Sequence, residues 1–188
     1  MNIPTILTLG RVIVIPFMLV FFCWGEPWGY YVSAGLFWLA SVTDWLDGYL
    51  ARRWGQITPL GEFLDPVADK LLVSTALVGI VGVYGVLFVL PAAVIIAREI
   101  TISALREWMA EQGLRSSVKV MLLGKFKTAI QMVAIWMLLL LPGFEGHESA
   151  VLFGFILLCC AALLTAVSMF YYLAAARKAA KETRFGVR

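Results

Sequence analysis

Apolar residues run along this chain in six long segments, separated by short polar or turn-forming stretches. Each segment approaches the roughly 20 residues that an α-helix needs to cross the hydrocarbon core of a bilayer. The segments cover residues 4–24, 29–50, 63–84, 87–109, 120–141 and 150–174. Because every backbone polar group in lipid needs a partner within the protein, this pattern predicts an all-α integral membrane protein with six transmembrane helices.

Composition excludes the other broad classes. The chain has 188 residues, of which 62% are hydrophobic and 14% charged, against roughly 45–50% and 25% in soluble domains. A soluble protein of this length could not bury so much apolar surface. We therefore expect a single transmembrane domain over residues 1–188, in which residues 175–188 form a basic cytoplasmic tail.

Basic residues indicate the orientation in the membrane. Lys and Arg lie near the N-terminus, around the second and fourth connections between segments and in the C-terminal tail, whereas the other three connections contain none. The positive-inside rule assigns the basic regions to the cytoplasm, which predicts an N-in and C-in topology. Nucleic acid is not an expected partner, because the net charge is only +3 and the basic residues follow this topology.

Four of the twelve acidic residues lie at the inner ends of the second and third segments, as Asp44, Asp47, Asp65 and Asp69. The members of each pair are three or four residues apart, so they share one face of a helix. If the two helices pack antiparallel, four carboxylates converge and repel one another unless cations neutralise them. Oxygen ligands without His or Cys suit Mg²⁺ or Mn²⁺, and two such ions stabilise phosphoryl displacement.

Small and basic residues accompany these acids. Gly48 follows Asp47 and Gly61 lies one turn before Asp65, so each acidic pair has a neighbouring position without a side chain, where a ligand could approach. Arg52 is placed to meet a phosphate. Basic residues at helix ends often only mark topology, but that interpretation leaves the spacing of the acids unexplained.

The acids, the glycines and Arg52 form the pattern Asp44-x2-Asp47-Gly48-x2-Ala51-Arg52-x8-Gly61-x3-Asp65-x3-Asp69. This pattern resembles the complete signature of the CDP-alcohol phosphatidyltransferase family at every defined position. The resemblance implies a six-helix membrane fold, usually a homodimer, whose carboxylates bind two divalent ions. In that family the ions hold the pyrophosphate of a CDP-linked lipid, and an acceptor alcohol displaces CMP.

The same resemblance implies roles for individual residues. Asp44 and Asp65 bridge both metals, Asp47 completes the first site, and Asp69 completes the second and takes the proton of the acceptor. The positions expected to contact the CDP-lipid are Gly48, Arg52, Thr58 and Gly61. Near the N-terminus, Thr8 and Arg11 lie one turn apart and are two further candidates for a polar face toward the CDP pocket, although backbone bonding explains the threonine nearly as well.

Three further segments, at residues 2–12, 97–113 and 115–132, resemble the bacterial branch of the family that uses sn-glycerol 3-phosphate as acceptor. A dianionic acceptor needs a basic pocket, and basic residues gather around the fourth connection. Arg98 lies within an apolar run, so we expect it to face the helix bundle rather than lipid. The predicted ligands of the acceptor phosphate are Arg98, Arg106 and Lys125.

The predicted function is transfer of the phosphatidyl group from CDP-diacylglycerol to sn-glycerol 3-phosphate, at the cytoplasmic face of a bacterial cytoplasmic membrane. Inositol phosphate or another alcohol as acceptor is the nearest alternative. A divalent-cation transporter is a remote one, because its acids would be spread along a path across the membrane. A membrane scaffold without catalysis would leave the spacing of Asp and Gly unexplained.

Overall fold

A computed structural model describes residues 3–54, 59–112, 123–143 and 146–184. Within these residues the chain folds into six α-helices and contains no β-strand, which confirms the all-α prediction for this part of the chain. Short 3-10 turns at Val86–Phe88 and Leu141–Gly143 precede α4 and follow α5. The helices are α1 (Ile3–Cys23), α2 (Pro27–Trp54), α3 (Pro59–Tyr84), α4 (Val89–Glu111), α5 (Leu123–Leu140) and α6 (Glu148–Arg184).

Three stretches of the described residues are long and apolar enough to cross a membrane: Phe63–Tyr84, Val86–Glu111 and Glu148–Ala174. Leu7–Cys23 and Thr128–Gly143 are shorter apolar helices. These findings fit a membrane protein, while the N-in and C-in orientation stays a prediction. The sixth helix continues to Arg184, beyond the apolar segment that ends at residue 174, because the alanines, lysines and arginines that follow favour a helix even outside lipid.

The core forms where one face of α1 packs against α2 and α3. Ile15, Met18 and Phe22 recur at spacings of three and four residues and are all buried, as on the inward face of an amphipathic helix. In the other half of the bundle, α4 and α5 pack against α6, and α5 also contacts α2 and α3. The buried apolar side chains of α2 and α3 include Ala34, Phe37, Ala40, Leu72, Ala76, Leu77 and Ile80.

The buried faces of α1, α2 and α3 become polar toward one end of the bundle. Each polar position lies three or four residues from the next inward-facing position of its helix, so it stays on the inward face. We call these residues the polar cluster: Thr8 and Arg11 on α1, Asp44 on α2, and Asp65 and Asp69 on α3.

Two tyrosines hold the opposite end of the bundle together. The hydroxyl of Tyr31 in α2 donates to the carbonyl of Gly143 at 2.7 Å, and that of Tyr84 in α3 donates to the carbonyl of Leu138 at 2.9 Å. These bonds attach the start of α2 to the 3-10 turn after α5 and the end of α3 to α5 itself. The helices that carry the acidic residues are therefore fixed by packing far from the polar cluster.

We expect substitution of Gly29 by Ala to lower the free energy of unfolding in detergent by about 1–3 kcal/mol, the usual range for overpacking. A Cβ at Gly29 would lie 2.5 Å from the backbone oxygen of Phe21, where α2 turns back against α1. Gly35→Ala is the matched control in the same helix, because no atom lies within 4 Å of its Cβ position. Equal unfolding midpoints for the two variants would contradict this packing.

Candidate active site

Arg11 joins two acidic residues that come from different helices. Its Nη1 donates to Oδ1 of Asp44 at 2.5 Å and to Oδ1 of Asp69 at 2.8 Å. The side chain of Arg11 is fully buried, whereas those of Asp44 and Asp69 are 36% and 44% exposed. The two carboxylates thus share one cation and remain partly exposed.

Asp65 is also held by a residue of α1, but by Thr8 rather than by Arg11. The Oγ1 of Thr8 donates to Oδ1 of Asp65 at 2.7 Å, one turn before the position of Arg11. Thr8 is itself buried, so this hydroxyl orients the carboxylate from inside the bundle. Two inward-facing residues of α1 therefore hold three of the four predicted metal ligands.

Among the described residues the convergence of α2 and α3 is largely indirect, because α1 packs extensively against each of them while they contact each other little. Spacing in the sequence predicted the shared face of Asp65 and Asp69. It did not predict that α1 would connect them to Asp44. Thr8 and Arg11 were expected on the CDP-lipid, and the structure brings both to the acidic residues; their contact with a nucleotide stays a prediction.

Several predicted site residues fall outside what the structure describes. Thr58 lies between α2 and α3 in the part not described, and the side chain of Lys125, on α5, is likewise outside the described residues. So are the side chains of Asp47 and Arg52 in α2, whereas Gly61 lies within α3 and is buried. The roles predicted for these residues remain predictions.

The described carboxylates are arranged around a positive charge. Asp44 and Asp69 approach one Nη1 atom, and carboxylate oxygens are the ligands that Mg²⁺ and Mn²⁺ prefer. Among the described side chains no group of three or more His, Cys, Asp or Glu lies close enough together to hold an ion. Two carboxylates from different helices supply oxygen ligands of the right kind but do not complete a metal site among the described side chains, so metal binding and the number of ions both stay predictions.

Arg98 is the basic residue of α4 that lies deepest in the bundle. It is 7% exposed, as its position in an apolar run predicted. Its Nη1 donates to Glu99, while Nε has no hydrogen-bond partner among the described residues. Arg106 is exposed, and its guanidinium lies 5.8 Å from the ring centre of Tyr172 in α6. The two arginines thus have different surroundings, and only Arg98 is buried.

Lys70 is a residue that sequence reasoning interpreted only as a marker of topology. Its Nζ donates to Oγ of Ser103, which joins α3 to α4 immediately after Asp69. Ser103 lies five residues, or about 7.5 Å along the helix axis, from Arg98. The hydroxyl of a serine in an apolar helix carries no signal of such a contact, so the link between α3 beside Asp69 and α4 required the structure.

Comparison with known proteins gives the family. The model of the CDP-alcohol phosphatidyltransferase family matches residues 1–168. The chain belongs to the CDP-alcohol phosphatidyltransferase family. As a member of this family it is a phosphatidyltransferase, and the acidic signature found in its sequence lies at the end of α2 and the start of α3.

Curated proteins of the CDP-alcohol phosphatidyltransferase family are similar to this chain over most of its length. A protein of Salmonella choleraesuis (strain SC-B67) is 54% identical over 156 residues, which cover 82% of this chain and 86% of the relative. A protein of Escherichia coli (strain K12) is 53% identical over the same shares. Both are named CDP-diacylglycerol–glycerol-3-phosphate 3-phosphatidyltransferase.

Proposed function

We propose that this protein transfers the phosphatidyl group of CDP-diacylglycerol to sn-glycerol 3-phosphate, giving phosphatidylglycerol phosphate and CMP in phospholipid biosynthesis. The names of relatives that are 53–54% identical support the two substrates. The single observation that carries the chemistry is the convergence of Asp44 and Asp69, from two helices, on one buried cation. A cluster of this kind attracts cations and, through them, a pyrophosphate.

The acidic residues are the proposed ligands of the metal ions. Asp44, Asp47, Asp65 and Asp69 would hold two Mg²⁺ or Mn²⁺ ions. When bound, the ions supply positive charge to the pyrophosphate and to the leaving CMP. Arg11 and Thr8 position the carboxylates from inside the bundle, at distances of 2.5–2.8 Å.

Asp69 is the proposed base. It takes the proton of the acceptor hydroxyl as that oxygen bonds to the phosphorus that carries diacylglycerol. The bond from this phosphorus to the bridging oxygen of the pyrophosphate breaks, and CMP leaves with that oxygen. With its side chain 44% exposed, Asp69 is accessible to a substrate. Positioning of the acceptor and the proton transfer would each contribute to the rate.

The proposed contacts of the CDP part of the donor are Gly48, Arg52, Thr58, Gly61, Thr8 and Arg11. Its acyl chains remain in the lipid around the helices, since the described bundle presents many apolar side chains outward, among them Phe63 and Leu71 of α3. The site would open to the cytoplasm in a bacterial cytoplasmic membrane, and two copies of the chain would form a homodimer.

Arg98, with Arg106 and Lys125, is the proposed ligand of the acceptor phosphate. We expect Arg98→Gln to raise the KM for glycerol 3-phosphate by about 10- to 100-fold, because a hydrogen bond to a charged group contributes roughly 1.5–3 kcal/mol. The KM for CDP-diacylglycerol should stay within about two-fold, since uniform loss of acceptor binding does not affect the donor. Arg177→Gln, at an exposed position of α6, is the control for loss of a positive charge. An unchanged KM for glycerol 3-phosphate would remove Arg98 from this pocket.

Analysis of the lipid product tests the proposal. Purified protein is given CDP-diacylglycerol and Mg²⁺ with glycerol 3-phosphate, inositol phosphate or serine in separate reactions, and the lipids are identified by mass spectrometry. We expect phosphatidylglycerol phosphate from the first reaction and no new lipid from the others. A product from inositol phosphate alone would move the protein to that acceptor.

A further inference from the structure

Helices α4 and α6 run parallel and in a constant register. At three levels along the contact, a residue of α4 or of the 3-10 turn before it meets the residue 66 or 67 positions later in α6. Three pairs show this: the rings of Phe88 and Phe155 lie 4.9 Å apart, Arg106 lies over Tyr172, and Met109 and Ala176 share an apolar cluster. The register between these pairs therefore determines which residues of α6 lie at the depth of any residue of α4.

By this register, Leu164 and Thr165 are the residues of α6 that lie level with Arg98. Leu164 is 43% exposed, whereas Thr165 is 1% exposed, so Thr165 is the residue on the inward face of α6. Both Arg98 Nε and Thr165 Oγ1 are buried without a hydrogen-bond partner among the described residues. Two unsatisfied polar groups thus lie at one level of two adjacent helices.

The hydroxyl of Thr165 is one of two buried hydroxyls without a partner among the described residues, and the other, Ser33 in α2, lies far from Arg98 in the sequence and on another helix. A Ser or Thr in a helix can always donate to a carbonyl three or four residues earlier. Ser41, Thr43, Thr101 and Ser168 all form such a bond, at distances of 2.7–2.9 Å. Thr165 does not, although a buried polar group without a partner costs about 1–3 kcal/mol. Thr165 differs from Ser33 in lying at the depth of a second unsatisfied donor, Arg98 Nε, so one bound ligand with several acceptor oxygens would satisfy both groups.

We propose that Thr165 is a further residue of the acceptor site, whose hydroxyl donates a hydrogen bond to the phosphate that Arg98 holds. The inference rests on the proposed function, because it takes Arg98 as a ligand of the acceptor phosphate. A guanidinium Nε–H and a hydroxyl are both donors, so together they suit an anion with several acceptor oxygens. Their burial makes each bond stronger than it would be in water.

Kinetics of three variants test the proposal. Thr165→Val removes the hydroxyl at nearly constant volume and is expected to raise the KM for glycerol 3-phosphate at least about ten-fold, with little change in the KM for CDP-diacylglycerol. Thr165→Ser keeps the hydroxyl and should restore a KM close to that of the wild type. Ser33→Ala is the matched control, because Ser33 is another buried hydroxyl without a partner among the described residues, in the outer half of α2.

A binding measurement without turnover separates this inference from the proposed function. Inorganic phosphate is titrated into wild-type, Thr165→Val and Arg98→Gln protein, and the unfolding midpoint is followed. We expect phosphate to stabilise the wild type at concentrations about ten-fold lower than either variant. Weaker phosphate binding in Arg98→Gln but not in Thr165→Val would overturn the role of Thr165 alone. No phosphate effect on any protein would overturn the acceptor site and, with it, this inference.

Discussion

Replacement of Asp69 by Asn is expected to lower the rate of CMP release by about a thousand-fold, within the range expected for loss of a general base. The variant keeps the size of the side chain and loses the charge that receives the acceptor's proton. Binding of CDP-diacylglycerol should persist within about ten-fold, because Asp44 and the other acidic residues remain. Initial rates of CMP release and equilibrium binding of the lipid, measured on the same preparation, separate the two effects.

Glu26→Gln provides the control for Asp69→Asn. Glu26 is an exposed carboxylate in the turn between α1 and α2, at the end of the bundle opposite the polar cluster. Its substitution makes the same chemical change and should leave the rate unaltered. If Asp69→Asn kept more than about a tenth of the wild-type rate, Asp69 could not be the base.

The second large effect concerns stability. Arg11→Gln should lower the free energy of unfolding by about 3 kcal/mol in EDTA, the lower end of the range for breaking a buried ion pair. The lower end applies because the partners Asp44 and Asp69 are 36% and 44% exposed. For a protein of this length the unfolding midpoint falls by about 6–12 °C. With saturating Mg²⁺ the difference from wild type should shrink, because a divalent cation then neutralises the same two carboxylates.

The unfolding midpoints of Arg11→Gln and wild-type protein are measured in detergent, once with EDTA and once with Mg²⁺. Arg177→Gln, at an exposed position, is the control. The decisive quantity is how far Mg²⁺ raises the unfolding midpoint of each protein. Mg²⁺ should stabilise Arg11→Gln more than it stabilises the wild type, since the ion no longer competes with a guanidinium. Equal stabilisation of both proteins would show that Arg11 and the ion do not share these acids.

The acidic residues could be predicted from the sequence because their chemistry and spacing are local properties. Asp65 and Asp69 are four residues apart, and any helix places them on one face. The burial of Arg98 was predictable for a similar reason, since a charge in the middle of an apolar helix must turn away from lipid. These predictions needed only the period of the helix and the cost of an exposed charge.

The partners of the acidic residues could not be predicted in the same way. The sequence indicated that Thr8 and Arg11 share a face of α1, and left open which helices that face contacts. The answer depends on the packing of α1 against both α2 and α3, which involves residues more than thirty positions apart in the sequence. Thr165 gave no signal at all, because a single hydroxyl in an apolar helix usually bonds to its own backbone.

Acceptor-dependent release of CMP tests the central claim most directly. The purified wild-type protein is incubated with CDP-diacylglycerol in four reactions, with and without glycerol 3-phosphate and with Mg²⁺ or EDTA. The account predicts CMP only where both glycerol 3-phosphate and Mg²⁺ are present, in amounts equal to the phosphatidylglycerol phosphate formed. CMP release without the acceptor, or none when acceptor and Mg²⁺ are both supplied, would contradict it.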